Sequence, residues 1–340
     1  MLSSLKHPGM MLGISAAMHL LVDGLCVCCL YLMADASMLG GLLGVFLTYN
    51  ILAFMTQPFT GILVDKVGRR HWVLLVSMAL LAIAVLVASM VVAAGAVRSG
   101  MFAVAVLLGL GNSLFHVWGG KQTVVTYGND MPAMGVFVST GALGLSLGVV
   151  FHSWNLLQVF LVVLCLLALV YVLLDAMVED GRSSQDVQKA RSAQDAQGGR
   201  AEVVPPYGMG FVLVSMAALV AFVLFRSFSG EVFSSSAGVN KTQMVVLLIG
   251  AAAMLGKMAG GWLAKWFGIV RSMVVVLLVV ALCFIVGGCN LAILLIGIFM
   301  INCTMPVTLY LANLLLEGRE GLAFGILAAA LIPGYLLAVF

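Results

Sequence analysis

Gly61-Ile-Leu-Val-Asp65-Lys66-Val-Gly68-Arg69-Arg70-His71 is a short, charged, glycine-punctuated stretch pinned between two long apolar runs, residues 39–63 and 72–95. Each run is long enough to cross a bilayer as a helix, which takes ~20 residues. A connection this short makes the two helices antiparallel neighbours. The basic cluster Lys66, Arg69 and Arg70 marks the cytoplasmic side, where positive charge is retained.

Outward from this loop the same alternation continues. Hydrophobic residues make up 63% of the chain and charged residues 9%, which excludes an ordinary soluble domain and predicts an all-α, polytopic membrane protein. Eleven spans are predicted, at 10–33, 39–63, 72–95, 101–125, 132–153, 156–178, 207–229, 242–264, 272–289, 291–315 and 321–340. With the N-terminus inside, twelve Lys and Arg residues fall in cytoplasmic segments, whereas Arg98 and Lys241 alone fall outside. That bias fixes the expected orientation, in an inner or plasma membrane. The first apolar run is too long for a cleavable signal peptide. The net charge of +3 gives no reason to expect a nucleic-acid partner. Six of the seven cysteines lie inside spans and Cys289 at a span end, so no disulfide framework is expected.

Residues 179–206 are polar and end in Pro205-Pro206. They read as a flexible cytoplasmic linker between an N-terminal six-helix bundle, 1–178, and a C-terminal bundle of about five helices, 207–340. The two halves echo each other. At an offset of 200 residues, Gly61 falls on Gly261 and Gly68 on Gly268, while Asp65 falls on Lys265. At an offset of 190, Gly135 falls on Gly325 and Gly144 on Gly334. Corresponding spans in two halves are the mark of a parallel-repeat transporter.

The pattern Gly61-x-x-x-Asp65-Lys66-x-Gly68-Arg69-Arg70 resembles the signature loop between helices two and three of the major facilitator superfamily. The resemblance implies a two-bundle fold working by alternating access. It also implies a cytoplasmic gate formed by Gly61, Asp65, Lys66, Gly68, Arg69 and Arg70. The second offset makes span 321–340 the partner of the fifth helix, so a twelfth helix is expected to be absent and the C-terminus to lie on the outer face. A naturally short chain and a truncated one both fit.

Few polar residues lie inside the spans, and those few carry the functional expectations. His19 and Asp23 are i and i+4 on one face of the first span. A transmembrane carboxylate is expensive in lipid and usually faces a partner or a water-filled cavity. There it can exchange protons, with His19 one turn away to share them. Asn112 and His116 repeat the spacing in the fourth span. Asn50 and Gln57 share a face in the second, as do Asn302, Pro306 and Asn313 in the tenth. Such amides serve a polar substrate or ordinary interhelical hydrogen bonds. Pro306 is placed to open the helix where a cavity is lined. Arg226 and Lys257 lie in the seventh and eighth spans, where they would attract an anion or snorkel to the interfaces. Gly141-x-x-Gly144-x-x-x-Gly148 predicts close helix packing in the fifth span.

His19-x-x-x-Asp23, Gln57-Pro58-x-x-Gly61 and Gly111-x-Ser113-x-Phe115-His116 resemble the fosmidomycin-resistance branch of the same superfamily, whose members exchange protons for small organic compounds. The chain departs from that branch at Val117, where a proline is usual. The leading expectation is a proton-coupled antiporter, acting as a monomer, that exports a small polar or anionic organic molecule. Asp23 and His19 would carry the proton. Asn50, Gln57, Asn112, His116, Arg226, Lys257 and Asn302 would contact the cargo. No cofactor and no bound metal are expected. Cys26, Cys28 and Cys29, with 21 methionines, keep a metal-cation cargo as an alternative. A non-transporting receptor or assembly factor is the other. No enzyme is expected, since the spans hold neither a His-Glu-x-x-His run nor a Gly-x-Ser-x-Gly elbow.

Overall fold

The computed structural model describes residues 7–37, 42–67, 71–180, 207–235, 239–286 and 290–339. Among these, no strand is present, and the apolar runs form eleven membrane-length helical units. We label them α1 (His7–Ser37), α2 (Leu42–Asn50, Ile51–Met55 and Gln57–Val67), α3 (Trp72–Ala93), α4 (Val97–Tyr127), α5 (Met131–Val150) and α6 (Trp154–Asp180). These are followed by α7 (Met209–Ser234), α8 (Gln243–Phe267), α9 (Ile269–Val286), α10 (Leu291–Asn302 and Met305–Leu315) and α11 (Glu320–Ala329 and Leu331–Val339). Ten of the eleven are long and apolar enough to span a membrane, and the remaining one, α2, is divided into segments. Gly68, Arg69 and Arg70 of the signature loop, residues 181–206 of the expected linker, Lys6 and Cys289 lie outside the described residues.

The breaks follow from proline chemistry. A proline has no N–H for the carbonyl four residues earlier, and its ring crowds that carbonyl. Pro306 leaves Asn302 without its donor, and the first part of α10 ends at Asn302. Pro333 does the same to Ala329, where the first part of α11 ends. Pro58 stands four residues after Phe54, inside the π-helical turn Ile51–Met55 of α2. The break at Pro306 matches expectation, whereas those at Pro58 and Pro333 came from the same rule left unapplied.

α1 is the most enclosed of the ten spans, and α7 and α9 are the least. Large apolar side chains such as Phe59, Met90, Val214, Leu278 and Ile285 are exposed, as a lipid-facing surface requires. α1 lies against α5, along the glycine seam read from the sequence. An added Cβ at Gly144 would strike the carbonyl of Leu20, and one at Gly148 the carbonyl of Gly24.

Two further seams, α2 with α11 and α5 with α8, are related by the sequence offsets. Gly325 of α11 packs on the carbonyl of Gln57, while Gly135 of α5 packs on the carbonyl of Lys257. Gly61 packs on the carbonyl of Gly321, while Gly261 packs on that of Met131. In both cases the α2 and α8 partners are 200 residues apart and the α5 and α11 partners 190 apart. The faint repeat in the sequence is therefore a repeat of contacts.

Candidate functional site

At the meeting of α1, α4 and α5, three side chains converge. His19 Nε2 lies 2.8 Å from His116 Nε2. Asp23 sets one carboxylate oxygen 3.3 Å from His19 Nε2 and the other 3.5 Å from His116 Nε2. All three are buried. The i, i+4 spacing places His19 and Asp23 one turn apart on α1, and the same spacing on α4 presents Asn112 beside His116. Asn112 Nδ2 donates to Asp23 Oδ1 at 3.0 Å and to the Tyr49 hydroxyl at 3.1 Å. Gly141 of α5 forms the facing wall, where any side chain would overlap Asp23 and His19.

The hydrogen bonds on the far side of each imidazole decide what the near side is. His19 Nδ1 is 2.7 Å from the Phe137 carbonyl, and His116 Nδ1 is 3.0 Å from the Asn112 carbonyl. A carbonyl only accepts, so both Nδ1 atoms carry hydrogen. In neutral imidazoles both Nε2 atoms would then be bare lone pairs, facing each other and a carboxylate. Two lone pairs at 2.8 Å repel. The arrangement is satisfied when one extra proton sits between the two Nε2 atoms, its charge balanced by Asp23. The same three residues could instead hold a metal ion, since their ligating atoms all lie within 4.8 Å of one another. Imidazoles anchored through Nδ1–H to carbonyls are usual at such sites. Of the cysteines read as soft ligands, none joins the ligating trio, although Cys26 Sγ touches the edge of the cluster, 3.9 Å from Asn112 Nδ2. Cys26, Cys28 and Cys29 are buried, and Cys28 Sγ points to the Ser153 carbonyl.

The loop motif gives a second polar cluster, at one end of the bundle. Asp65 accepts hydrogen bonds from the backbone N–H of Gly321 and of Leu322, both at 2.9 Å. These are free amides at the start of α11, where the helix dipole favours an anion. Lys121 Nζ pairs with Asp65 at 3.1 Å and donates to the Val64 carbonyl at 3.1 Å. Lys66 is exposed. At the equivalent place in the other half, Lys265 pairs with Asp130 at 2.8 Å, and Asp130 caps α5 by accepting from Ala133 N at 3.2 Å. Gly128, with φ of 64°, closes α4 just before it.

The other expected cargo residues fare unequally. Asn50 and Asn302 donate back to their own helices, to Phe46 O and Ile298 O, each at 2.8 Å. Gln57 does likewise to Ala53 O at 2.8 Å but leaves its buried Oε1 without a partner. Arg226 is buried, with Nη1 unpartnered, and Lys257 is half-buried. A small cavity beside Arg226 is lined by Met305, Thr308, Leu309, Phe324 and Leu327, among others. Tyr49, Lys121, Asp130 and the Phe137 carbonyl were not anticipated as parts of these clusters. Lys121 had a signal, because it lies within the fourth span and not beyond it. A cavity of about 510 Å³ lies elsewhere: α7, α9 and α10 line it with Phe211, Leu277, Leu314 and similar residues. Its apolar lining includes no member of the His19 cluster.

Eleven membrane-length helices, two repeat-related seams and a sparse set of buried polar side chains define a polytopic transporter-type bundle. The chain matches the family model described as Major Facilitator Superfamily over residues 10–339, and it belongs to that family. It is a transporter by family and fold, not an enzyme. Among solved structures it resembles the Major Facilitator Superfamily transporter FucP in the outward conformation, with 14% identity and a TM-score of 0.67, covering 98% of this chain and 90% of that one. It also resembles the human organic anion transporter MFSD10 (TETRAN), at 18% identity and a TM-score of 0.64, covering 97% and 93% of the two chains. At these identities the likeness is one of fold. No curated protein sequence matches the chain.

Proposed function

We propose that the protein is a proton-coupled secondary transporter that moves a small polar or anionic organic molecule by alternating access. The observation that carries this is the trio of acceptors His19 Nε2, His116 Nε2 and Asp23, which needs one proton to be stable and lies among the helices that must move. His19 and Asp23 were expected to form the coupling pair, and His116 joins them as an equal member. In this mechanism α1, α4 and α5 hold the proton while the two halves, 1–178 and 207–340 joined by the polar linker, rock about the α2–α11 and α5–α8 seams. Asp65 on the α11 amides and Lys121 on Asp65 close the end carrying the signature loop. Breaking those contacts opens it. The bias of Lys and Arg toward that end supports a cytoplasmic N-terminus in an inner or plasma membrane. Export by a monomer, exchanging proton for cargo, is the direction the resemblance to the fosmidomycin-resistance branch implies.

The test is internal pH in proteoliposomes while organic anions, cationic drugs and metal ions are added in turn. A pH change with one cargo class, lost in Asp23→Asn while the protein still folds, is expected. Undiminished pH-driven transport in Asp23→Asn overturns the coupling assignment. A second reading, a divalent metal cargo, is favoured by the close approach of the three ligating atoms. It predicts metal accumulation that His116→Gln abolishes. The buried Arg226 and half-buried Lys257 weigh against it, because they repel a cationic cargo.

A further inference from the structure

We infer that Arg226, Ser229 and Lys257 form an oxyanion-binding site, and that the cargo carries a compact anionic head of the carboxylate, sulfonate or phosphonate kind on an apolar body. This rests on the transport reading but not on proton coupling.

Arg226 is 6% exposed, and its Nη1 has no hydrogen-bond partner. Ser229 is fully buried, and its Oγ also lacks a partner. The two are i and i+3 on α7 and so share a face. Lys257 stands on α8 at the seam with α5, where Gly135 packs on its carbonyl, and its half-buried side chain interacts electrostatically with Arg226. Among the described residues, none of the ion pairs includes either cation. Asp23 is already engaged by Asn112, His19 and His116.

A buried guanidinium and a buried hydroxyl with unpartnered donors, and no carboxylate paired with either Arg226 or the half-buried Lys257, are unfavourable in an empty protein. A compact oxyanion relieves all of it. It accepts from the guanidinium fork of Arg226 and the hydroxyl of Ser229, and it balances Lys257. The cavity beside Arg226 sets the rest of the preference. Apart from Thr308 its walls are the apolar side chains of Met305, Leu309, Phe324, Leu327, Ala328 and Leu331. The cavity is small, about 10 Å³, and neither Ser229 nor Lys257 lines it, so these walls must part to seat the apolar body of the cargo.

The site also has a short route to the proton. Phe324 lies against Phe137, with ring centroids 6.4 Å apart, and Phe137 lies 4.9 Å from the His19 ring while its carbonyl holds His19 Nδ1. An occupant that shifts Phe324 therefore presses on the group that fixes the orientation of His19.

The test is equilibrium binding and thermal melting of the purified full chain with succinate, benzoate and methylphosphonate, against choline and glycerol as controls. Saturable binding of at least one of the three anions, and of neither control, is expected. Loss of one charged or hydroxyl donor should weaken that binding about tenfold in Lys257→Gln and in Ser229→Ala. Arg226→Lys keeps the charge without the fork and should fall between wild type and Arg226→Gln. Equal binding of choline or glycerol, no saturable binding of any anion, or wild-type affinity in both Lys257→Gln and Ser229→Ala overturns the site. Anion binding without a vesicle pH response keeps the site and removes the coupling, while a pH response to choline does the reverse.

Discussion

Replacing Gly141 with alanine should disable the proton site without touching any of its polar groups. A Cβ built at Gly141 stands 2.5 Å from His19 Nε2 and nearer still to Asp23 Oδ2. An ordinary contact needs ~3.5 Å, so about 1 Å must be opened. α1 cannot supply it by retreating as a body. Gly144 and Gly148 hold the backbone of α5 against the carbonyls of Leu20 and Gly24 on one side of Gly141, and Thr140 donates to the Ala16 carbonyl at 2.6 Å on the other. The side chains must yield, and either Asp23 leaves Asn112 or His19 leaves His116. Overpacking of this kind costs about 1–3 kcal/mol, and a lost buried hydrogen bond to a charged group costs a similar amount. At ~1.4 kcal/mol per tenfold, the proton affinity of the cluster should change by roughly tenfold or more. Measured as the external pH of half-maximal transport, that is a displacement of about one pH unit or more. Gly230→Ala is the control, since nothing lies within 4 Å of a Cβ there. A Gly141→Ala protein with the wild-type pH profile and melting temperature would refute the assignment of the cluster.

Asp65→Ala strands Lys121, which is 7% exposed and pairs with that carboxylate. Breaking a buried pair costs about 3–5 kcal/mol, so the signature-loop end should open. Labelling of Thr123→Cys by an impermeant thiol reagent, in a cysteine-free background, should rise; unchanged labelling removes the gate role. Asp130→Asn keeps an acceptor for the α5 cap but loses the half-exposed pair with Lys265, a change of under ~1 kcal/mol. Asp130→Ala loses the cap as well, for about 1 kcal/mol more, and melting of the two variants should separate in that order. Pro306→Ala restores a donor to the Asn302 carbonyl and should raise thermal stability while slowing turnover. Unaltered turnover would make the α10 break passive.

The helical units, their order and the signature loop were legible because each is written locally, in apolar run length and in the glycine and charge punctuation between runs. The pairs His19–Asp23 and Asn112–His116 were legible for the same reason, since i, i+4 spacing fixes a shared face. That the two faces meet was not, because it depends on how α1 crosses α4. The Phe137 and Asn112 carbonyls, which settle where the histidine protons sit, are backbone groups that no residue pattern announces. Asn50 and Asn302 show the opposite error. Their spacing marks a face correctly, but an amide on a helix can turn back to its own carbonyl four residues earlier, and both do so.

The reversal of charge in the internal repeat, Asp65 against Lys265, has a physical cause in the helices these residues reach. α11 begins without a side-chain cap, leaving the Gly321 and Leu322 amides free, and the loop residue facing them is an acid. α5 begins with its own acid, Asp130, already bound to the Ala133 amide, and the loop residue facing it is a cation. An aspartate at position 265 would set two carboxylates against one helix start, and a lysine at position 65 would set a cation against bare amides and Lys121. Each half therefore closes on the other by the same rule, an anion at a helix N-terminus, with the carboxylate supplied from opposite sides of the seam. The polar side chains inside the spans follow a similar division: Asp23, with the proton proposed for it, lies in the first half, and Arg226 and Lys257, in none of the ion pairs among the described residues, lie in the second. On the oxyanion proposal, a cargo that bridges them presents its anion to the second half, and its arrival would be felt at His19 through the Phe324–Phe137 contact.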